Sequence, residues 1–295
     1  MATTVALEKP VEPAARSWTI RLKRAPLVPV LILTLLVFVA LFANILTSYS
    51  PTDISLSERL RPPFWQPGGS VAHLLGTDPM GRDILTRTMY GARISLLIGL
   101  LSILVGGGIG ATVGLIAGYA GGRVDALCMR VADTTMAFPI ILFAILLVSI
   151  MGGSLLNVVI AVALVLWARY ARVIRGEVLS LKQRDFVAQA RIAGCSFARI
   201  IVVHLFPNIL NTLLVLLSLQ VGWVIVIEAS LSFLGAGVPP PTPTWGSMVA
   251  EGRDYIATAW WVSFFPGAAI LATVLSFNLF GDWLRDALDP TMRQL

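Results

Sequence analysis

The chain has 295 residues, of which 57% are hydrophobic and 13% charged, with a net charge of +6 and a mean hydropathy of +0.83. Such values lie far from those of water-soluble domains and make the bilayer the solvent for most of the chain. They favour helices over a barrel, whose strands would alternate in hydropathy over about ten residues.

Two cysteines, Cys128 and Cys195, give neither a disulfide framework nor a metal-binding spacing, and read as small packing residues. His73 and His204 are isolated in sequence from other ligand types. No nucleophile or paired-carboxylate pattern stands out, which argues against an intramembrane enzyme and leaves the catalytic, cofactor and metal sites of this chain empty.

An all-α membrane protein with six spans is predicted, at about 27–47, 95–119, 136–151, 155–173, 208–235 and 262–281. Residues 1–26 form an N-terminal segment. Residues 27–47 read as an uncleaved anchor, because the run starts too late, is too long for a signal h-region and lacks an A-x-A site.

The segment 48–93 carries "GTDPMGRDILTRTMYGAR". Asp78 can cap, Pro79 suits the first helical position and Gly91 can end the turn, so a short surface helix is expected. Asp83 and Arg87 are spaced as an i,i+4 pair, beside an apolar side of Ile84, Leu85, Thr88 and Met89. Such a helix would serve as a strut for the second span or as a dock for an external partner.

A five-helix core is expected over 94–282. In its first helix Gly106, Gly110, Gly114 and Gly118 recur every four residues on one face, a seam that lets another backbone approach. No phosphate-loop pattern accompanies them. The third span, "FPIILFAILLVSIM", needs the preceding "VADTTMA" to complete a crossing.

Glu228, in the fifth span, is the one acid placed clearly within the membrane. It would either line a translocation pathway, together with Gln220, or hold helices together. The last outer loop is rich in proline, and its Trp245, Trp260 and Trp261 suit an interfacial belt.

Placing both termini, including the tail 283–295, in the cytoplasm puts sixteen of the 22 basic residues there: Lys9, Arg16, Arg21, Lys23, Arg24, Arg123, Arg130, Arg169, Arg172, Arg175, Lys182, Arg184, Arg191, Arg199, Arg285 and Arg293. The positive excess therefore reads as membrane orientation, with no role for nucleic acid.

The inner loop 176–207 contains "RDFVAQARIAGCSFARIIVVHLFPN". Phe186, Ala190 and Ala193, flanked by Val187, recur at helical spacing. Gly194 suits a left-handed cap, Ser196 can start a second helix near Phe197, and Pro207 can kink the chain before the fifth span. The result is a knuckle at the membrane face, for which pattern alone leaves anionic lipid and a protein partner equally open.

This stretch resembles the cytoplasmic loop of importer-type ABC permeases, E-A-A, three residues, G, nine residues, I-x-L-P. Gly194 and Pro207 keep its spacing, whereas Ala188, Gln189 and Phe206 depart from it. No role for a glutamate can therefore be carried over. Three further stretches, "HLLGTDPMGRDILTRTMYGARISL", "SLSFLGAGVPPPTPTWGSM" and "FPGAAILATVLSFNLFGDWLRDALDP", are similar to the C-type permease subunit of dipeptide and oligopeptide ABC importers.

The resemblance implies a type I ABC importer permease fold in the bacterial inner membrane. It also implies a second, B-type permease, two ATP-binding subunits that carry ATP and magnesium, and an extracytoplasmic binding protein that delivers peptide. The knuckle would then be a coupling helix seated in an ATPase groove. Phe186, Val187, Ala190 and Ile192 would pack in, Arg191 and Arg199 would meet rim acids or lipid, and Gly194, Cys195, Ser196 and Pro207 would complete the coupling stretch. Glutathione, nickel chelates or haem are alternative cargoes within the class. An ion-driven secondary transporter is the alternative outside it, which expects broken helices in matching halves.

Overall fold

A computed structural model describes residues 26–288. The expectations placed on residues 1–25 and 289–295, including Lys9, Arg16, Arg21, Lys23, Arg24 and Arg293, lie outside the described residues.

The described chain is helical, and its only β feature is an isolated bridge between Thr77 and Asp83. The first helix, α1, covers Leu27–Leu46. It is apolar all round, and Leu27, Leu31, Leu35 and Ile45 are exposed, as suits a helix in lipid. It is tied to the rest by Arg93, which donates to the carbonyls of Ala40 at 2.8 Å and Leu41 at 3.0 Å.

Helix α2 covers Ile84–Ala120. It therefore starts well before the expected residue 95, and the expected surface helix beginning at Asp78 does not form; among the described residues only a single 3-10 turn, Leu56–Glu58, lies between α1 and α2. The reason is the choice of cap. Asp83, rather than Asp78, accepts a hydrogen bond from the Thr86 amide, at 2.7 Å. Asp78 instead closes a loop, accepting from the amides of Met80 at 2.7 Å and Arg82 at 3.0 Å. Gly91 ends nothing; it is a close-approach site, where an added Cβ would lie 3.1 Å from Cδ1 of Trp245.

Helix α3, Gly122–Ala137, and helix α4, Ile140–Met151, meet at 95°. Pro139 causes the break: it lacks a donor, and Phe138 before it is driven to extended geometry, with φ −83° and ψ 141°. The twelve residues of α4 span only about 18 Å, so the third crossing is a bent pair rather than one straight rod. The remaining described helices are α5 (Leu155–Leu181), α6 (Asp185–Ile192), α7 (Phe197–Phe233), α8 (Trp245–Gly252) and α9 (Trp261–Leu288). Both α5 and α7 extend beyond the spans expected from hydropathy; Arg169 and Arg172 fall within the expected span and Arg175 beyond it, and all three sit inside α5 rather than in a loop.

The main core lies where α2, α5 and α7 meet, around Ile98, Val162, Leu166, Tyr170 and Ile225. A second cluster under α6 includes Ile174, Val178, Ile200 and Leu205, and a third at the opposite end joins Ile84 to Met248 and Trp261.

The glycine seam of α2 lies directly on α5. An added Cβ at Gly106 would lie 3.0 Å from the Ala163 carbonyl oxygen, and one at Gly114 2.6 Å from that of Ala171. At Gly118 it would meet the Val178 side chain at 2.9 Å, and at Gly110 the Cβ of Tyr170 at 2.5 Å. Backbone atoms cannot swing aside as a side-chain tip can. Gly114→Val should therefore destabilise the folded chain by about 1–3 kcal/mol. Gly108→Ala, where nothing lies within 4 Å, should be near neutral. Thermal unfolding of the purified variants in one detergent distinguishes the two.

Candidate functional site: the knuckle and the buried polar junctions

Helix α6 has Asp185 in its first turn and Arg191 in its last, each favourable to the helix dipole. It closes in a paired cap: the Gly194 amide donates to the Arg191 carbonyl and the Cys195 amide to that of Ala190, both at 3.0 Å. Gly194 takes φ +76°, which a side chain would oppose. Ser196 then caps α7, accepting from the Arg199 amide at 3.4 Å.

Pro207 does not break the helix before the fifth span. Helix α7 runs through it behind a π-helical stretch, Ile200–Leu205, in which the Phe206 amide reaches back to the Ile201 carbonyl. The widened turns carry the helix past the donor that proline lacks.

Burial divides the expected coupling residues. Val187, 0% exposed, and Ala190 face inward onto Ile174, Val178, Ile200 and Leu205, while Phe186 and Cys195 are half-buried on the same cluster. Val187 and Ala190 cannot pack into a partner's groove, because their apolar side is what fastens α6 to α5 and α7. The outward face is instead Ala188, Gln189, Arg191, Ile192, Phe197 and Arg199, with Ile192 88% exposed.

Tyr119, near the end of α2, anchors this end. Its ring lies 5.1 Å from that of Phe197, the Arg191 guanidinium stands 5.2 Å from its centroid, and its carbonyl accepts from Lys182 Nζ at 2.6 Å. Arg175 grips Asp125 through two hydrogen bonds of 2.5 and 2.6 Å, and Arg172 pairs with Asp133, so α3 is bolted to α5.

Glu228 is fully buried and lines no open path in this structure. It accepts from Ser95 at 3.1 Å and Ser232 at 2.8 Å, and Thr244 donates to Ser232 at 3.2 Å. Gln220 is buried too. Two of the three tryptophans expected at an interfacial belt also point inward. Trp245 donates through Nε1 to the Thr88 carbonyl at 3.0 Å, and Trp261 to that of Thr77 at 3.1 Å.

Beyond them lies a buried ion network that sequence reasoning missed. Arg82 donates to Asp78 at 2.6 Å and to Glu251 at 2.8 Å. Arg87 pairs with Asp78 and donates to Glu251 at 2.5 and 3.0 Å, in place of the expected pair with Asp83. Nor is His73 isolated. Its two nitrogens lie 2.8 Å from Glu58 and 3.0 Å from Asp83, the residue that caps α2. A neutral imidazole has one N–H and carboxylates only accept, so both bonds require the imidazolium.

The chain's residues 110–294 match the family model described as the binding-protein-dependent transport system inner membrane component. Over 286 residues, 97% of this chain and 95% of the relative, it is 45% identical to the dipeptide transport system permease protein DppC of Escherichia coli (strain K12). Identity is also 45% over 263 residues, 89% of this chain and 87% of the relative, to the di/tripeptide transport system permease protein DppC of Pseudomonas aeruginosa (strain UCBPP-PA14). It is 37% over 295 residues, the whole of both chains, to the dipeptide transport system permease protein DppC of Haemophilus influenzae.

The His73 clamp carries a pH dependence. Burial opposes its protonation, but the hydrogen bonds to Glu58 and Asp83 outweigh burial and raise its pKa above the ordinary value of 6.5. Its other neighbours are Arg61, paired with Glu58, and the ring of Tyr49 at 5.0 Å. The stabilisation is complete below the unfolded-state value and disappears as pH rises through the raised folded-state value. Amide exchange around residues 58–83 should therefore accelerate on going from pH 6 to pH 9 beyond the intrinsic rate. A His73→Gln variant should show fast exchange already at pH 6 and no such step.

Proposed function

The chain belongs to the family of binding-protein-dependent transport system inner membrane components, and from that premise we propose that it is the C-type permease of an ATP-driven importer of dipeptides and short oligopeptides. It is a multi-pass protein of the bacterial inner membrane and a permease subunit rather than an ATPase. In this reading a B-type permease lies beside it and completes the pathway. Two ATP-binding subunits hold ATP and magnesium at the knuckle end, and an extracytoplasmic binding protein delivers peptide at the other. The bias of basic residues supports the knuckle end as cytoplasmic. The peptide class rests on the role printed for the relatives.

The observation that carries the coupling role is the two-sidedness of α6. Its inner side, through Val187 and Ala190, shares one apolar cluster with α5 and α7, while Ile192 stands almost fully in the open. A push on the outer side by an ATPase that closes on ATP is delivered to two spanning helices at once, because packed side chains transmit displacement rather than absorb it. Gly194 holds the turn that presents this face.

A Cβ added at Gly194 meets no neighbour within 4 Å, so the obstacle to Gly194→Leu is the positive φ of the backbone. It should leave the complex assembled and lower transport per ATP hydrolysed by roughly tenfold, a 1.4 kcal/mol penalty on the coupled state. Gly194→Asn should be milder, since asparagine tolerates positive φ. Ile192→Asp should release the ATPase subunits on purification while the chain keeps its thermal midpoint, whereas Val187→Asp should lower that midpoint. An Ile192→Asp chain that still holds its ATPases and transports normally would rule out this face.

A further inference from the structure

A guanidinium on a spanning helix is costly unless an acid or carbonyl holds it. On α5, Arg172 and Arg175 have their acids, Asp133 and Asp125. Arg169, one turn earlier, makes no hydrogen bond or ion pair among the described residues. It stands about 21 Å along the axis from Leu155 and about 18 Å from Leu181, so it belongs to neither end of the helix.

Its side chain lines a cleft of about 190 Å³ in the elbow between α3 and α4, shared with Thr135, Met136, Ile140 and Trp223. No acid lines this cleft. Trp223 is 44% exposed there, although its neighbours Gly222 and Val224 are buried. A cation that is exposed and unpaired among the described residues therefore shares with a tryptophan a concavity built from three parts of the chain.

We propose that Arg169 and Trp223 form a carboxylate-recognition point on the translocation path, where the guanidinium receives the C-terminal carboxylate of a peptide in transit. Trp223 and Met136 cover the apolar part of the last residue. The inference rests on the peptide-importer reading above. A carrier of varied peptides can depend only on what they share, and a terminal carboxylate is shared by all of them. The fork geometry of arginine matches a carboxylate in two parallel hydrogen bonds. The cleft holds a carboxylate and part of one residue rather than a whole peptide, which suits a passing contact.

The test uses the complete importer in proteoliposomes, supplied with dipeptide-loaded binding protein and ATP. Arg169→Gln should assemble and hydrolyse ATP but deliver roughly tenfold less radiolabelled dipeptide per ATP, the loss of one charge-assisted pairing. Arg169→Lys should recover much of that ratio. With p-benzoylphenylalanine in place of Trp223, illumination during turnover should capture the labelled dipeptide, and adding Arg169→Gln should abolish capture.

An unchanged ratio in Arg169→Gln would overturn the proposal. Loss of assembly in both Arg169 variants, with no capture at position 223, would overturn it in favour of an acid on the second permease. If the wild-type complex moves no dipeptide, the substrate reading itself falls and this inference with it. That result is distinct from failure of Arg169 alone, in which the wild type transports and the variant matches it.

Discussion

In hydrocarbon, two helices gain little by hiding apolar surface from each other, since lipid tails are as apolar as leucine. What joins them is contact at short range, and α2 and α5 achieve it by removing side chains at one turn after another. Gly106, Gly110, Gly114 and Gly118 let the backbone of α2 rest on that of α5 from Ala163 to Val178. Everything at the knuckle end is referenced to this pair. Helix α5 carries the arginines that hold α3, and α2 delivers Tyr119, on which Phe197, Arg191 and Lys182 converge.

The opposite end is held differently, by polar groups kept from water. Asp78 and Arg82 of the loop before α2, Arg87 at the start of α2 and Glu251 at the end of α8 neutralise one another across elements distant in sequence. Glu228, Ser95, Ser232 and Thr244 tie α2, α7 and the turn into α8. A buried charge that loses one partner leaves the other unsatisfied, so these clusters fix position closely even where their net contribution to stability is small. Two principles thus act in one chain: close van der Waals approach along the α2–α5 seam, and directional polar contacts, most densely at the far end.

Local rules were legible where one residue decides the outcome. The four-residue spacing of glycines predicts a seam, the only left-handed turn in the knuckle falls on Gly194, and Ser196 starts the next helix. What stayed hidden depends on partners far away in the chain. Local pattern offers Asp78 as the cap, but Arg82 and Arg87 claim its carboxylate and Asp83 caps instead. Val187 looks like an anchor for a partner until Ile174 and Leu205 claim it. A tryptophan in an outer loop suits a wet interface by composition, yet Trp245 is drawn inside by the carbonyl of Thr88 and the small Gly91. His73 lacked a visible neighbour because Glu58 and Asp83 reach it only after the loop folds back.

The length of α2 has a mechanical consequence. Its 37 residues make a rod of about 55 Å, nearly twice the ~30 Å of hydrocarbon, so it is a lever whose ends work outside the layer that holds its middle. A tilt of about 10° about the centre of a rod that long moves each end by roughly 5 Å in opposite senses. One end bears the charged loops and the other bears Tyr119 under the knuckle. Through this rod, a small rotation at one face becomes a side-chain-sized displacement at the other, with no bond in the helix required to break.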